Sequence, residues 1–498
     1  MEISAQDKEF LAKKGIAEAQ VIKQLEQFKA GFPFADIQRA ATIGDGIALI
    51  EESDRTKYTE IYSEALKADK SVVKFIPASG AATRMFKAMF EFKNADADKK
   101  SGMAAEKPYK EFFARLNDFA FAEALKKTNP GSEYENIDKM LDDDGLGYGQ
   151  KPKGVLLFHN YPSGARTAAE EHIYEGLNYA NQNGEINLHF TVSPAHLELF
   201  KAAVETTKAE IEKQHGCKIN ITYSFQKQST DTLAATMDNE PFRNDKGELV
   251  FRPGGHGALI ENLNDLDADL VFIKNIDNVA QEHLLPTTTL YKQVIAGYAI
   301  ERKNAVDAIL KGLDSGDMSN IAKAEAFMND ELKTIYPDNY AAMSEADKVA
   351  FIKEALDRPL RVCGMVKNEG EPGGGPFWVM GQDGQVTLQV VESAQIDTND
   401  TEKAGIMNGS THFNPVDLFC CITDRNGKKY DLTKFVDQNA GFISYKSLGG
   451  RDLKAMELPG LWNGAMANWL TFFVEVPVAT FNPVKTVMDL LRPQHQPK

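Results

Sequence analysis

The chain has 498 residues, of which 43% are hydrophobic and 26% charged, shares typical of a folded globular protein, so wholesale disorder is excluded and more than one ordinary core is expected. Its formal net charge is -16, and no run of Lys and Arg interleaved with aromatics is present, so a nucleic-acid track is not expected. Four cysteines without a CxxC pair, and no histidines at zinc-ligand spacing, suggest neither a disulfide framework nor a structural zinc site.

The N-terminal MEISAQDKEF is charged and lacks the apolar stretch of a signal peptide. The apolar residues 470–481 are too few to span a bilayer and contain Glu475 and Pro477, so they read as strand or core. A cytoplasmic protein without a membrane partner is the expectation.

In chain order, residues 1–70 show helical periodicity and read as a helical N-terminal extension. Val72-Val73-Lys74-Phe75-Ile76 is a β-branched apolar run that predicts a buried strand. Residues 93–150 turn polar, with Asn129-Pro130-Gly131-Ser132 and Asp142-Asp143-Asp144-Gly145, and read as an insertion. Strand signals follow at Val155-Leu156-Leu157-Phe158, at the alternating Ile186, Leu188, Phe190 and Val192, and at Ile219, Ile221, Tyr223 and Phe225. Between them lie helices, one presenting Ala169, Ile173 and Leu177 on one face and one opened by Ser193-Pro194. Leu270-Val271-Phe272-Ile273 is continuous and apolar, as in a strand covered on both sides. This βα alternation predicts a mostly parallel α/β core over 71–284. A helical insertion over 285–357 and an α+β region over 358–498 complete the chain.

The strongest chemical signal is Pro77-Ala78-Ser79-Gly80-Ala81-Ala82-Thr83-Arg84-Met85, a strand leading through small residues into a Thr-Arg pair and a helix. Small residues let backbone N–H groups approach a phosphate chain, and an arginine offers a forked donor to its oxygens. The loop fits neither a Walker A motif nor a dinucleotide GxGxxG, and a tight strand-to-helix turn is the plain alternative. Lys153, in Pro152-Lys153-Gly154, supplies a compact charge of the kind that suits phosphate. Gln226 follows a strand, and Gly254-Gly255-His256-Gly257 forms a glycine turn ahead of a helix. Asp277 stands just past the apolar strand, where α/β sheets place ligands. In such a position it serves either as a Mg²⁺ ligand or as an Asx-turn former.

These residues resemble the sugar-1-phosphate nucleotidyltransferase signature, and the chain is similar to a family of unknown function allied to the UDP-sugar pyrophosphorylases. The resemblance implies a nucleotide-diphospho-sugar transferase-like, Rossmann-like α/β fold with a mixed sheet and helical insertions. It implies triphosphate contacts from Ala78, Ser79, Gly80, Thr83, Arg84 and Lys153, with Arg84 and Lys153 catalytic. Gln226 would read uracil, Gly255, His256 and Gly257 would lie under the base, and Asp277 would hold Mg²⁺. Glu369, Glu371 and Asn414 would face the sugar, and Asp417 would be a further metal ligand. Three departures stand out: Ala82 occupies a glycine position of the signature, Ser79 replaces another small residue, and a long stretch separates Arg84 from Lys153.

The expected reaction joins a sugar-1-phosphate to an NTP, UTP first, with release of pyrophosphate. The alternatives are a non-catalytic nucleotide or sugar-nucleotide sensor, and a glycosyltransferase using Asp265 or Asp267. The loop 78–85 is expected to line the largest polar cleft, and Asp277→Asn to abolish turnover while leaving the fold intact.

Overall fold

The structure, a computed structural model, describes residues 3–68, 70–370 and 373–498. Its two compact units are each assembled from separated stretches of chain. The first takes Met1–Ala65, Gln226–Val271 and Ile295–Val476, and the second Leu66–Phe225, Phe272–Val294 and Pro477–Lys498.

In the second unit, the strands Val72–Pro77, Glu185–Thr191 and Lys218–Ser224 run parallel, with Phe75 opposite His189 and Leu188 opposite Ile221. Residues 272–274, the end of the apolar strand Leu270–Lys274, lie beside Val72–Pro77. The helix Ala168–Tyr179 begins at Thr167, whose hydroxyl accepts the Glu170 N–H at 3.3 Å while the Glu170 carboxylate accepts the Thr167 N–H at 2.6 Å. This reciprocal cap satisfies two backbone donors that a helix start otherwise leaves unpaired. Ala169 and Ile173 then face the core together with Phe190 and Phe200.

The polar insertion is not a solvated excursion. Its short helices close around stacked and edge-on aromatics, among them Phe92, Phe112, Phe119 and Phe121, at ring separations of 4.8–5.5 Å. The strand expected at 155–158 begins two residues later, as Leu157–Tyr161, and pairs only with Gly164–Thr167 in a hairpin outside the parallel sheet. Lys153–Val155 is instead a 3-10 turn.

The first unit holds the parallel strands Gly46–Ala48, Leu470–Glu475 and Leu360–Lys367, with Asp417–Cys421 antiparallel to the last. The helical run expected to residue 70 is broken here. Ile37–Ala40 pairs with Gly374–Met380 and Gly46–Ala48 with Leu470–Glu475, partners more than three hundred residues away that no local periodicity reveals. The segment Gln226–Val271, read from the sequence as part of the core over 71–284, is counted with this unit, where Thr232–Ala235 pairs with Arg451–Glu457. No helix among the described residues is long and apolar enough to cross a membrane.

The second unit buries a cluster of charge under its sheet. Glu175, on the Ala168–Tyr179 helix, accepts from Lys74 Nζ at 2.9 Å, from Lys274 Nζ at 2.6 Å and from the Tyr179 hydroxyl at 2.9 Å. Lys74 is fully buried and also donates to the His172 carbonyl at 3.0 Å. Burial pulls its ammonium down from 10.5 to about 7, against the attraction of Glu175.

The unfolded chain therefore holds this proton up to about 10.5 and the folded chain only up to about 7, so Lys74 makes stability rise with pH between those values. We expect the denaturant midpoint of the wild type to gain on that of Lys74→Met between pH 7 and pH 9.5, as read by urea unfolding at both. Parallel pH responses of the two proteins would show that the amine is not depressed.

Candidate phosphate-binding site

The Val72–Pro77 strand ends at Ala78, whose N–H donates to the Thr191 carbonyl at 2.9 Å. The chain then crosses an exposed turn at 79–81, makes the single 3-10 turn Ala82–Arg84 and enters the helix Lys87–Asn94. Ala82, Met85 and Phe86 are buried and hold the loop down, while Ser79, Gly80, Thr83 and Arg84 stay exposed. The alanine at the glycine position of the signature is thus a core contact. A Cβ at Gly80 would meet nothing within 4 Å, so packing places no demand on that glycine.

Lys153 lies beside this loop despite the insertion between them. Ala81 bridges to Pro152, and the Ala82 N–H reaches the Lys151 carbonyl at 3.4 Å. Gly154 is required by packing, because a Cβ there would come within 2.4 Å of the Phe200 ring.

The Lys153 ammonium donates to Asp277 Oδ2 at 2.8 Å and to the Val484 carbonyl at 2.7 Å. The same Asp277 oxygen accepts from Lys485 Nζ at 3.1 Å. The backbone around Asp277 is stitched to residues 482–484. The Val484 N–H donates to the Asp277 carbonyl at 3.1 Å, and the Asn482 N–H donates to Asn278 Oδ1 at 2.8 Å. Burial pushes the Asp277 carboxyl up, but Lys153 and Lys485 outweigh it and hold the group below the usual carboxylate value. Burial pulls the Lys153 ammonium down, with Asp277 opposing. The result is two lysines on one carboxylate, with the backbone of the exposed loop bridged to the residue before Lys153.

Sequence reasoning missed Lys485. It sits more than two hundred residues beyond Asp277, and its only local signal is Pro483 two positions ahead.

The remaining candidates belong to the first unit. Gln226 carries a buried amide nitrogen with no acceptor among the described residues. In the glycine turn, Gly255 has φ +77°, and a Cβ on Gly257 would lie 2.1 Å from the Pro459 carbonyl oxygen. His256 stacks on Trp462 with ring centroids 4.3 Å apart and accepts the Leu461 N–H at 3.0 Å. Backbone geometry and close packing therefore account for these glycines. Asn414 is buried; its Oδ1 accepts the Val416 N–H at 2.9 Å, and its amide nitrogen has no acceptor among the described residues. Asp417 is buried at the start of its strand, and no group of three His, Cys, Asp or Glu residues suited to a metal gathers among the described residues. Glu369 is exposed beyond the Leu360–Lys367 strand, and Glu371 lies outside the described residues.

The loop 78–85 is not part of the wall of the cavity found in the first unit. That cavity, of about 910 Å³, is walled by first-unit residues, whereas the middle of the loop projects as an exposed turn.

Residues 4–496 match the model of a family described as a domain of unknown function, DUF4301. The chain belongs to this family. No functionally curated protein matches it. Among solved structures, the UDP-N-acetylglucosamine pyrophosphorylase of Trypanosoma brucei in complex with an inhibitor is 13% identical, with 98% of this chain and 79% of that one covered and a TM-score of 0.50. A mutant UDP-glucose pyrophosphorylase of Leishmania major in complex with UDP-glucose is 13% identical over 99% of this chain and 79% of that one, with a TM-score of 0.44. The T. brucei protein named UDP-glucose phosphorylase is 11% identical over 98% and 80%, with a TM-score of 0.46. The likeness at 0.50 bears on fold, and the fold is the mixed α/β arrangement of nucleotide-sugar transferases.

Asp277→Asn is not the neutral change that near-equal side-chain size implies. It removes the counter-charge of Lys153, whose side chain is 14% exposed, and is expected to destabilise the protein by on the order of 3 kcal/mol. Urea unfolding near pH 7 reads this directly, and an unchanged midpoint would mean that the pairing with Lys153 contributes nothing to the fold.

Proposed function

We propose that the protein is a nucleotidyltransferase that joins a sugar-1-phosphate to a nucleoside triphosphate, UTP first, and releases pyrophosphate. The observation that carries this reading is the bridge between Ala81 and Pro152. It sets Lys153 beside the exposed loop, with Lys485 on the same carboxylate.

The reaction is attack of a sugar phosphate oxygen on the α-phosphorus of the triphosphate; a P–O bond forms there, and the bond to the β-phosphate oxygen breaks as pyrophosphate leaves. No covalent nucleophile is needed. The protein's task is to hold the two phosphates in line and to neutralise charge on the transferring group. In this reading, the exposed backbone and hydroxyls of Ser79, Gly80 and Thr83 cradle the phosphates, and Arg84 offers a forked pair of donors. Lys153 and Lys485 add two ammonium groups. A phosphate arriving near Asp277 competes for these lysines and leaves the carboxylate open to a divalent cation.

A single carboxylate suffices for Mg²⁺, which keeps several waters and takes phosphate oxygens, so the donors at Asp277 fit the ion. When bound, Mg²⁺ would neutralise phosphate charge that this acidic chain otherwise meets with few cations. Within the first unit, the amide donors of Gln226 and Asn414, without acceptors among the described residues, suit the uracil-reading and sugar-binding tasks that the resemblance assigns. Asp265, which a glycosyltransferase reading would use, is engaged by Lys227 at 2.7 Å.

Pyrophosphate release, followed with the four NTPs and a panel of sugar-1-phosphates, tests the reading. UTP with at least one sugar phosphate should support turnover that EDTA abolishes. Lys153→Ala should lower kcat/KM by about 100-fold or more. Tight Mg²⁺-dependent NTP binding without turnover on any sugar phosphate would make the protein a sensor.

A further inference from the structure

The cavity of about 910 Å³ in the first unit lies at the start of the parallel strands Leu360–Lys367 and Leu470–Glu475. Arg358, just ahead of the one, and Trp469, Leu470 and Thr471, at the head of the other, line it. Glu369 and Asn414 lie beyond the opposite end of Leu360–Lys367, where Lys367 pairs with His412. Eight extended residues separate the two ends by roughly 23 Å. The cavity is therefore distinct from the positions to which the resemblance assigns sugar contacts.

Two guanidinium groups stand at this place without a bonded carboxylate among the described residues. Arg361 is fully buried; its Nε donates to Thr471 Oγ1 at 2.9 Å and its Nη1 to the Trp462 carbonyl at 2.6 Å, while Nη2 has no acceptor. Thr471 is the register partner of Arg361 and part of the cavity wall, so this charge sits directly behind the wall. Arg358 is half-buried and donates Nε to the Glu354 carbonyl at 2.9 Å. Burial pulls both below the usual arginine value; at Arg358 the charges of Asp383 and Glu354 oppose this without outweighing it.

Of the wall's carboxylates, Glu354 lies close enough to Arg358 to act on its charge, and four others are engaged elsewhere. Asp36 accepts from Lys403 at 2.6 Å and Glu331 from Arg302 at 3.2 Å. Asp383 and Asp437 accept the backbone N–H groups of Gln385 and Asn439. Two further wall residues carry unmet hydrogen-bonding capacity. The Trp469 indole N–H and the Asn463 amide oxygen are buried, with no partner among the described residues. One is a donor and the other an acceptor. The aromatic side chains of Trp378 and Phe351 complete the lining.

We propose that this cavity is a second ligand site, for a sugar-sized polyhydroxylated molecule that carries one oxyanion, either phosphate or carboxylate. A hydroxyl donates and accepts at once, which matches a wall holding both an unmet donor and an unmet acceptor. A guanidinium fork matches an oxyanion in shape as well as in charge, with Arg358 at the wall and Arg361 adding its field from behind Thr471. Aromatic side chains suit the C–H faces of a sugar, and an enclosed mixture of apolar and polar lining is the usual character of a small-molecule site. The proposal does not rest on the nucleotidyltransferase reading.

Isothermal titration calorimetry on the full chain, with glucose 6-phosphate, gluconate and neutral glucose as probes, tests it. At least one of the two acids should bind, with glucose at least about tenfold weaker, and the preferred acid distinguishes phosphate from carboxylate. Arg358→Gln should weaken that binding by about tenfold or more. Ala355→Trp, which fills the cavity without removing a polar group, should abolish it, and Lys153→Ala should leave it unchanged. Absence of binding by either acid would overturn the proposal. So would binding lost in Lys153→Ala yet retained in the two cavity variants, which would put the probe at the phosphate loop, or glucose binding equal to that of the acids.

Discussion

A carboxylate buried between two lysines sets the geometry of the candidate phosphate site. Glu175 bonds Lys74 on the Val72–Pro77 strand and Lys274 at the end of Leu270–Lys274, and so ties one helix to the two strands that lead to the loop and to Asp277. An apolar contact would tolerate sliding of a helix over a sheet; a pair of charge-assisted hydrogen bonds has a required distance and direction. The neighbouring His172 ring nitrogen lies 3.2 Å from the Ile276 carbonyl, one residue before Asp277. Burial and the charge of Lys74 keep this imidazole neutral. The strand ends are thus fixed from beneath.

The second ionic cluster, around Asp277, is of a different kind. The inner lysines, Lys74 and Lys274, are sealed from water, whereas the Lys485 side chain is 54% exposed. Charge sealed in a low-dielectric interior is held rigidly, while charge at a partly wet surface exchanges partners at small cost. The inner cluster therefore acts as a fixed frame, whereas in the outer one Lys485 is the member that can change partners at small cost, Lys153 and Asp277 being largely buried. That division follows from depth alone.

Much of the second unit was legible in the sequence because its signals are local. The apolar run at 72–76, the alternation at 186–192 and the loop 78–85 each declare themselves within a few residues, whereas the cap at Thr167 was not read from the sequence. What escaped depends on partners distant along the chain. The short strands at 37–48 pair with residues beyond 370, and Lys485 joins Asp277 from the last stretch of the sequence. The packing inside the insertion was not legible because its aromatics, spread among many polar residues, show no period although they converge in space. In the first unit, Gly255 and Gly257 were assigned to a base, yet a positive φ and the nearby Pro459 carbonyl require glycine there in any case. A glycine turn in a sequence does not reveal whether a ligand or the chain itself fills the space beside it.

The interleaving of the two units governs the order in which the protein can be made. The second unit draws on residues 66–225, 272–294 and 477–498, and the first on 1–65, 226–271 and 295–476. During synthesis at the ribosome, the opening helices and short strands emerge long before residues 470–475, their partners in the sheet, exist. Neither unit can close as an independent early domain, and Lys153 and Asp277 await Val484 and Lys485, which lie more than two hundred residues beyond Asp277. For several hundred residues the nascent chain carries unpaired strand edges, the state in which polypeptides are most exposed to aggregation. A long stretch of chain is thus made before the ion pairs at Asp277 can form.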